Sequence, residues 1–189
     1  MAIRILVGAG KEKNLKQLSN FLSNNGFIVA GEVDDGYDYL RKVHSIYPDI
    51  CILDGYMKGL SSLELTEVIV YEKIAPVLVM LNEFEVQNYA QLNQESSFVP
   101  IIKPINKNML LNTIQILLKT NRSIKKLEKE VVTLKDSKKE QQLIAKAKKL
   151  LIEHMCLTED EAHRRIQKQS MEKGIQKIKI AEAIILMYD

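Results

Sequence analysis

The chain has 189 residues, 46% hydrophobic and 27% charged, with four prolines and eight glycines, which excludes a disordered or fibrous polypeptide and leaves room for two small domains. Residues 3–7 are too short for a signal-peptide core and no later run approaches the ~18 apolar residues of a membrane span, so a soluble cytoplasmic protein without membrane contact is expected. Charge is uneven: residues 1–120 hold 11 Lys or Arg against 13 Asp or Glu, a net of −2, and residues 121–189 hold 16 against 11, a net of +5. That suits a regulatory half followed by a half facing a polyanion, although Lys- and Glu-rich surface helices also vary this much by chance. The two cysteines, Cys51 in an apolar run and Cys156 beside Leu157, have no CxxC neighbour and read as reduced core residues.

The first half alternates strands and helices. Short apolar runs at residues 3–7, 27–30, 50–53, 77–81 and 98–102 are rich in Val and Ile, as buried parallel strands are. Between them Leu15, Leu18 and Leu22 recur at helical spacing before Asn24-Asn25-Gly26, and Tyr37, Leu40, Val43 and Ile46 do so before Pro48. Leu63, Val68 and Ile69 mark a third helix, residues 86–92 a weaker fourth, and Met109, Leu110, Ile114 and Leu117 a fifth. The pattern predicts an α/β domain over residues 1–120, a five-stranded parallel doubly wound sheet of flavodoxin-like type, with function at the C-terminal edge of its strands.

That edge carries Asp54 after Ile50-Cys51-Ile52-Leu53, with Met57-Lys58-Gly59 following, and Lys103-Pro104 after Pro100-Ile101-Ile102. Here the chain resembles a response-regulator receiver domain, in register over roughly residues 2–120. The resemblance implies a phosphoacceptor aspartate at Asp54 and a lysine at Lys103 that meets the phosphoryl group. It also implies an acidic pair holding Mg²⁺ after the first strand and a Thr or Ser after the fourth, but those positions are Ala9, Gly10 and Leu81. Phosphoryl transfer to a carboxylate needs a hard cation, and Asp54 alone is a poor Mg²⁺ site, so no cofactor is expected. Glu12, Asp34 or Asp35 would either substitute in part or serve as helix-start acids. Asp54 is thus either a phosphoacceptor or a carboxylate paired with Lys103 without chemistry, and input through a regulatory protein, a small ligand or dimer assembly becomes the expectation.

Residues 112–147 contain no Gly or Pro, and Ile124, Leu127, Val131 and Leu134 follow 3-4-3 spacing. Residues 121–138 therefore read as a helical linker extending the receiver's last helix. Its apolar line is a homodimer seam, a short coiled coil, or one helix folding back on its own domain.

The remaining residues, 139–189, read as a three-helix bundle. Apolar residues at 147, 150, 151 and 155 make the first helix; Leu157-Thr158-Glu159-Asp160-Glu161 is a capping box opening a second, which buries Ala162 and Ile166 and ends near Lys173-Gly174. A third, from about residue 176 to 188, turns Ile180, Ala181, Ile184 and Ile185 inward. This segment resembles an ANTAR domain, on Ala147-Lys148-x-x-Leu151, Leu157-Thr158-Glu159-Asp160-Glu161-Ala162, Ile166-x-x-x-Ser170-Met171 and Ile180-Ala181-Glu182-Ala183-Ile184, in this order after a receiver. The resemblance implies a transcription antitermination regulator, a dimer that binds paired stem-loops in messenger RNA leaders. Lys148, Lys149, Arg164, Arg165, Lys168 and Lys177 would meet phosphates and Gln169, Ser170 and Met171 would meet loop bases. His154 and His163 lack a third ligand and point to structural or solvent roles rather than a metal; Tyr188 either packs its helix or stacks on a base.

Two other classes remain open. A response regulator with a DNA-binding output would also be basic and helical, though no tight helix-turn-helix is evident, and an interaction adaptor would dock a partner protein through the bundle. Enzymatic function is not expected: no Ser-His-Asp set or metal cluster appears, and Gly8-Ala9-Gly10 lacks the third glycine of a dinucleotide fingerprint.

Overall fold

Parallel strands covered on both faces need apolar side chains at successive positions, and the first half of the chain supplies them. In the computed structural model, which describes residues 2–188, the strands β1 (Arg4–Ala9), β2 (Ile28–Val33), β3 (Ile50–Asp54), β4 (Val77–Leu81) and β5 (Phe98–Ile102) form one parallel sheet in the order β2-β1-β3-β4-β5. Side chains alternate between its two faces. Ile5, Val7, Ile50, Ile52, Leu78 and Met80 pack against α1 (Glu12–Asn24) and the first turns of α4 (Lys107–Met155). Leu6, Cys51, Leu53, Val77, Val79 and Leu81 pack against α2 (Gly36–Ile46), α3 (Ser62–Tyr71) and the segment Glu83–Gln94. β5 lies at an edge of the sheet, which is where Pro100 can sit in a strand without breaking a ladder on both sides.

Three local expectations are corrected. β2 runs to Val33 rather than ending at residue 30, because an edge strand tolerates Gly31 and Glu32, and its register against β1 shifts between Ile5 and Leu6. The weak fourth helix is a 3-10 segment, Glu83–Gln94, whose buried side chains Tyr89 and Leu92 stand three apart, the 3-10 period. Cys51 is buried, and burial pushes its thiol up to about 12, but Cys156 is exposed; it follows the last residue of α4 with φ 54°, where the chain turns away from the helix.

The contacts divide the chain into two units, residues 1–125 and 126–189. The second unit is the bundle of the C-terminal part of α4 with α5 (Glu159–Lys173) and α6 (Lys177–Tyr188), around Ala147, Leu151, Ala162, Ile166, Ile180, Ala181 and Ile184. The receiver's last helix, the linker and the first bundle helix are one 49-residue element, Lys107–Met155, which holds no Gly or Pro to interrupt it. α5 opens on the expected capping box, Thr158 Oγ1 accepting from Glu161 N–H and the Glu161 carboxylate accepting from Thr158 N–H at 2.8 Å; it closes on Gly174 at φ 63°. With so small a core the cap matters: Thr158→Ala should lower bundle stability by about 1 kcal/mol, read as a lower urea midpoint at unchanged slope.

Candidate functional site

Two places bring polar side chains together. The first is the C-terminal edge of the sheet. Asp54, 8% exposed at the end of β3, pairs through Oδ1 with the Lys103 ammonium at the end of β5, and its Oδ2 accepts a hydrogen bond from the Asn14 amide at 3.0 Å. Asn14 carries no motif signal; it reaches the pocket because α1 starts directly after β1, and β1 lies beside β3 with Ala9 opposite Asp54.

The loop after β3 is tied to the residues that follow β2, on the far side of β1. Lys58 N–H donates to the Asp34 carbonyl at 3.3 Å, Gly36 N–H donates to the Lys58 carbonyl at 2.7 Å, and Met57 is buried. This brings the Tyr56 carbonyl against Gly10 so closely that any Cβ at position 10 would collide with that oxygen. Ala9 is fully buried, and Leu81 packs into the core. The other acids of this edge are engaged elsewhere: Glu12 pairs with Lys16, Asp34 with Lys58 at 3.5 Å, and Asp35 caps α2 by accepting from Asp38 N–H at 3.1 Å. Among the described residues no group of three or more His, Cys, Asp or Glu is placed to hold a metal ion.

The second place is the bundle surface. Arg164 and Arg165 are exposed on α5 and make no ion pair within 4.0 Å among the described residues, while Lys168 stands 3.8 Å from Glu172. Met171 is 75% exposed, and Lys177 is exposed at the start of α6. The remaining predicted contacts lie elsewhere. Lys148 is largely covered and sits 2.7 Å from Glu159, tying α4 to α5; Lys149 lies 3.7 Å from Glu153 on α4. Ser170 donates to the Ile175 carbonyl at 2.6 Å, closing the end of α5, and Gln169 is half-buried. The hydrogen bond from Lys148, and then its charge, hold the Glu159 carboxyl below the usual carboxylate range. A lowered folded pKa means that this tie contributes above the unfolded value and is lost as pH falls through the folded one. His154 stacks on Tyr188 with centroids 5.0 Å apart, which gives both rings a packing role. On α4, Ile124 is half-buried, whereas Leu127, Val131 and Leu134 are 58%, 47% and 69% exposed.

A flavodoxin-like sheet with an aspartate and a lysine at its C-terminal edge, followed by a helical bundle, defines a response regulator with a helical C-terminal domain. Residues 5–115 match the response regulator receiver domain and residues 133–185 match the ANTAR domain. The chain belongs to the response regulator receiver family and carries an ANTAR domain at its C-terminal end. It is similar to the transcriptional regulatory protein PdtaR of Mycobacterium tuberculosis, 24% identical over 182 residues that cover 96% of this chain and 89% of the relative. Among solved structures, the chemotaxis response regulator CheY4 of Vibrio cholerae aligns at TM-score 0.52 and 20% identity, over 62% of this chain and 99% of that one. A CheY-like receiver domain protein from Methanospirillum hungatei aligns at TM-score 0.57 and 19% identity, over 65% and 98%. These two likenesses concern the receiver fold. No helix among the described residues is long and apolar enough to cross a membrane.

Proposed function

We propose that this chain is a cytoplasmic transcription antitermination regulator, a homodimer that binds hairpin RNA in messenger leaders through its ANTAR domain, with a degenerate receiver as its regulatory input. The observation that carries the reading is the exposed basic face of α5 on an ANTAR domain, where Arg164, Arg165 and Lys168 outnumber the neighbouring Glu161 and the two arginines make no ion pair within 4.0 Å among the described residues. Cations so placed meet phosphates, and stem-loops add splayed bases for neutral groups to read.

Degeneracy of the receiver is supported by its pocket. The receiver family implies Mg²⁺ beside the aspartate, and the residues present do not fit it: Ala9 and Gly10 offer no side-chain ligand, the Tyr56 carbonyl leaves no room for a side chain at position 10, and Asp54 is already ion-paired with Lys103 and accepts a hydrogen bond from Asn14. Input then comes from a regulatory protein or small ligand rather than from phosphotransfer.

If α5 neutralises about three phosphates per protomer, log affinity should fall against log salt with a slope of roughly −2, at ~0.7 per phosphate. Replacing Arg164, Arg165 and Lys168 together by alanine should weaken binding to every hairpin and flatten that slope. Anisotropy titrations on a tandem hairpin, a loop-scrambled control and duplex DNA at two salt concentrations measure this. Binding to duplex DNA over hairpin RNA would favour a DNA-binding output, and no nucleic-acid binding at moderate salt would favour an adaptor.

A further inference from the structure

The exposed side of α5 is built from two neighbouring ridges, each following i, i+4 spacing: His163, Gln167 and Met171 on one, Arg164, Lys168 and Glu172 on the other. The open, shallow surface between them is lined by these six side chains. The ridges differ in chemistry. One carries a ring, an amide and a thioether, the other two cations and a carboxylate. A hairpin loop presents the complementary pair of surfaces, splayed bases on one side and a line of phosphates on the other.

We infer that the His163–Gln167–Met171 ridge is where loop bases are read, with Gln167 the specificity-determining residue; this rests on the RNA-binding reading above. Gln167 sits midway along its ridge, flanked by an imidazole and a thioether on which a base can stack or rest. Its amide offers one donor group and one acceptor, the pairing a base edge requires. Arg164 and Lys168, one position along the helix, hold the adjoining backbone. The sequence pointed instead to Gln169 and Ser170, and the packing counts against both. Gln169 lies three residues beyond buried Ile166 and seven beyond buried Ala162, so it falls on the flank of α5 nearest the core, where it is half-buried. Ser170 spends its hydroxyl proton on the Ile175 carbonyl. Only Met171 of the three belongs to the exposed ridge.

The full-length chain tests this with an RNA of defined origin, a tandem hairpin selected by wild type from a pool with randomised loops, compared with its loop-scrambled form. Gln167→Ala should cut the preference for the selected loop by about tenfold or more while leaving the salt slope and the affinity for the scrambled loop unchanged. Gln169→Ala should keep the preference. Reselection with Gln167→Glu, which exchanges the amide donor for an acceptor, should enrich a different base at one loop position. Circular dichroism is expected to be unchanged in the Gln167 variants, whose side chain is exposed, and serves as the folding control for Gln169→Ala, whose side chain is half-buried. Loss of preference in Gln169→Ala with retention in Gln167→Ala overturns the assignment, as does a wild type that binds hairpins tightly but enriches no loop; the latter leaves charge-driven RNA binding standing. A wild type that binds no hairpin removes the RNA reading and this inference with it.

Discussion

Rebuilding the receiver family's acidic pair, Ala9→Asp with Gly10→Asp, is expected to destabilise the receiver unit by about 3 kcal/mol or more and to leave Asp54 unphosphorylated. Position 9 is fully buried and stands opposite Asp54 in the β1–β3 ladder, so a second carboxylate there would be desolvated beside one that already has its partners. Position 10 is worse. A side chain there must push back the Tyr56 carbonyl, and that peptide is held by the Gly36–Lys58 and Lys58–Asp34 hydrogen bonds and by buried Met57. Urea unfolding of the single and double variants should show the larger loss for Gly10→Asp. With Mg²⁺ and a small phosphodonor, intact-mass spectrometry of the wild type and of all three variants should show no stoichiometric phosphoryl gain. A gain in the wild type that disappears in Asp54→Asn would restore an ordinary phosphorelay and end the degenerate-receiver reading.

The second large effect concerns α4. Leu127, Val131 and Leu134 lie on one line of the helix and are 58%, 47% and 69% exposed in the single chain, an arrangement that costs apolar hydration unless a second copy covers it. Replacing Leu127 and Leu134 by glutamate removes four leucines from a symmetric pair and places like charges across the seam. Allowing for partial exposure, about 1 kcal/mol for each leucine gives ~4 kcal/mol, or roughly a thousandfold in the dissociation constant. Light scattering should report a dimeric mass for wild type and a monomeric one for the double variant at the same concentration. An identical mass for both would remove the seam and leave the helix without a partner there. Hairpin affinity measured on the same samples then shows whether paired stem-loops need paired bundles.

Much of the molecule was readable before any coordinate was known, because the signals are local. Apolar runs of strand length, helices stopped by Asn24-Asn25-Gly26 and by Pro48, the Thr158–Glu161 cap and the Gly174 stop each act over a few residues, and all reappear, with β2 extended to Val33. The unbroken helix Lys107–Met155 follows in the same way from the absence of Gly and Pro. The flank of α5 on which Gln169 falls is likewise legible in its spacing from buried Ala162 and Ile166. What only the tertiary structure decided is the state of the receiver pocket. Asn14, Asp54 and Lys103 come from the start of α1 and the ends of β3 and β5, and Gly10 meets Tyr56 through a loop tied to residues 34–36. No periodicity or capping rule relates positions so far apart along the chain. Their meeting is fixed by strand order and by backbone hydrogen bonds between loops, which depend on geometry rather than on the side chains that sequence displays.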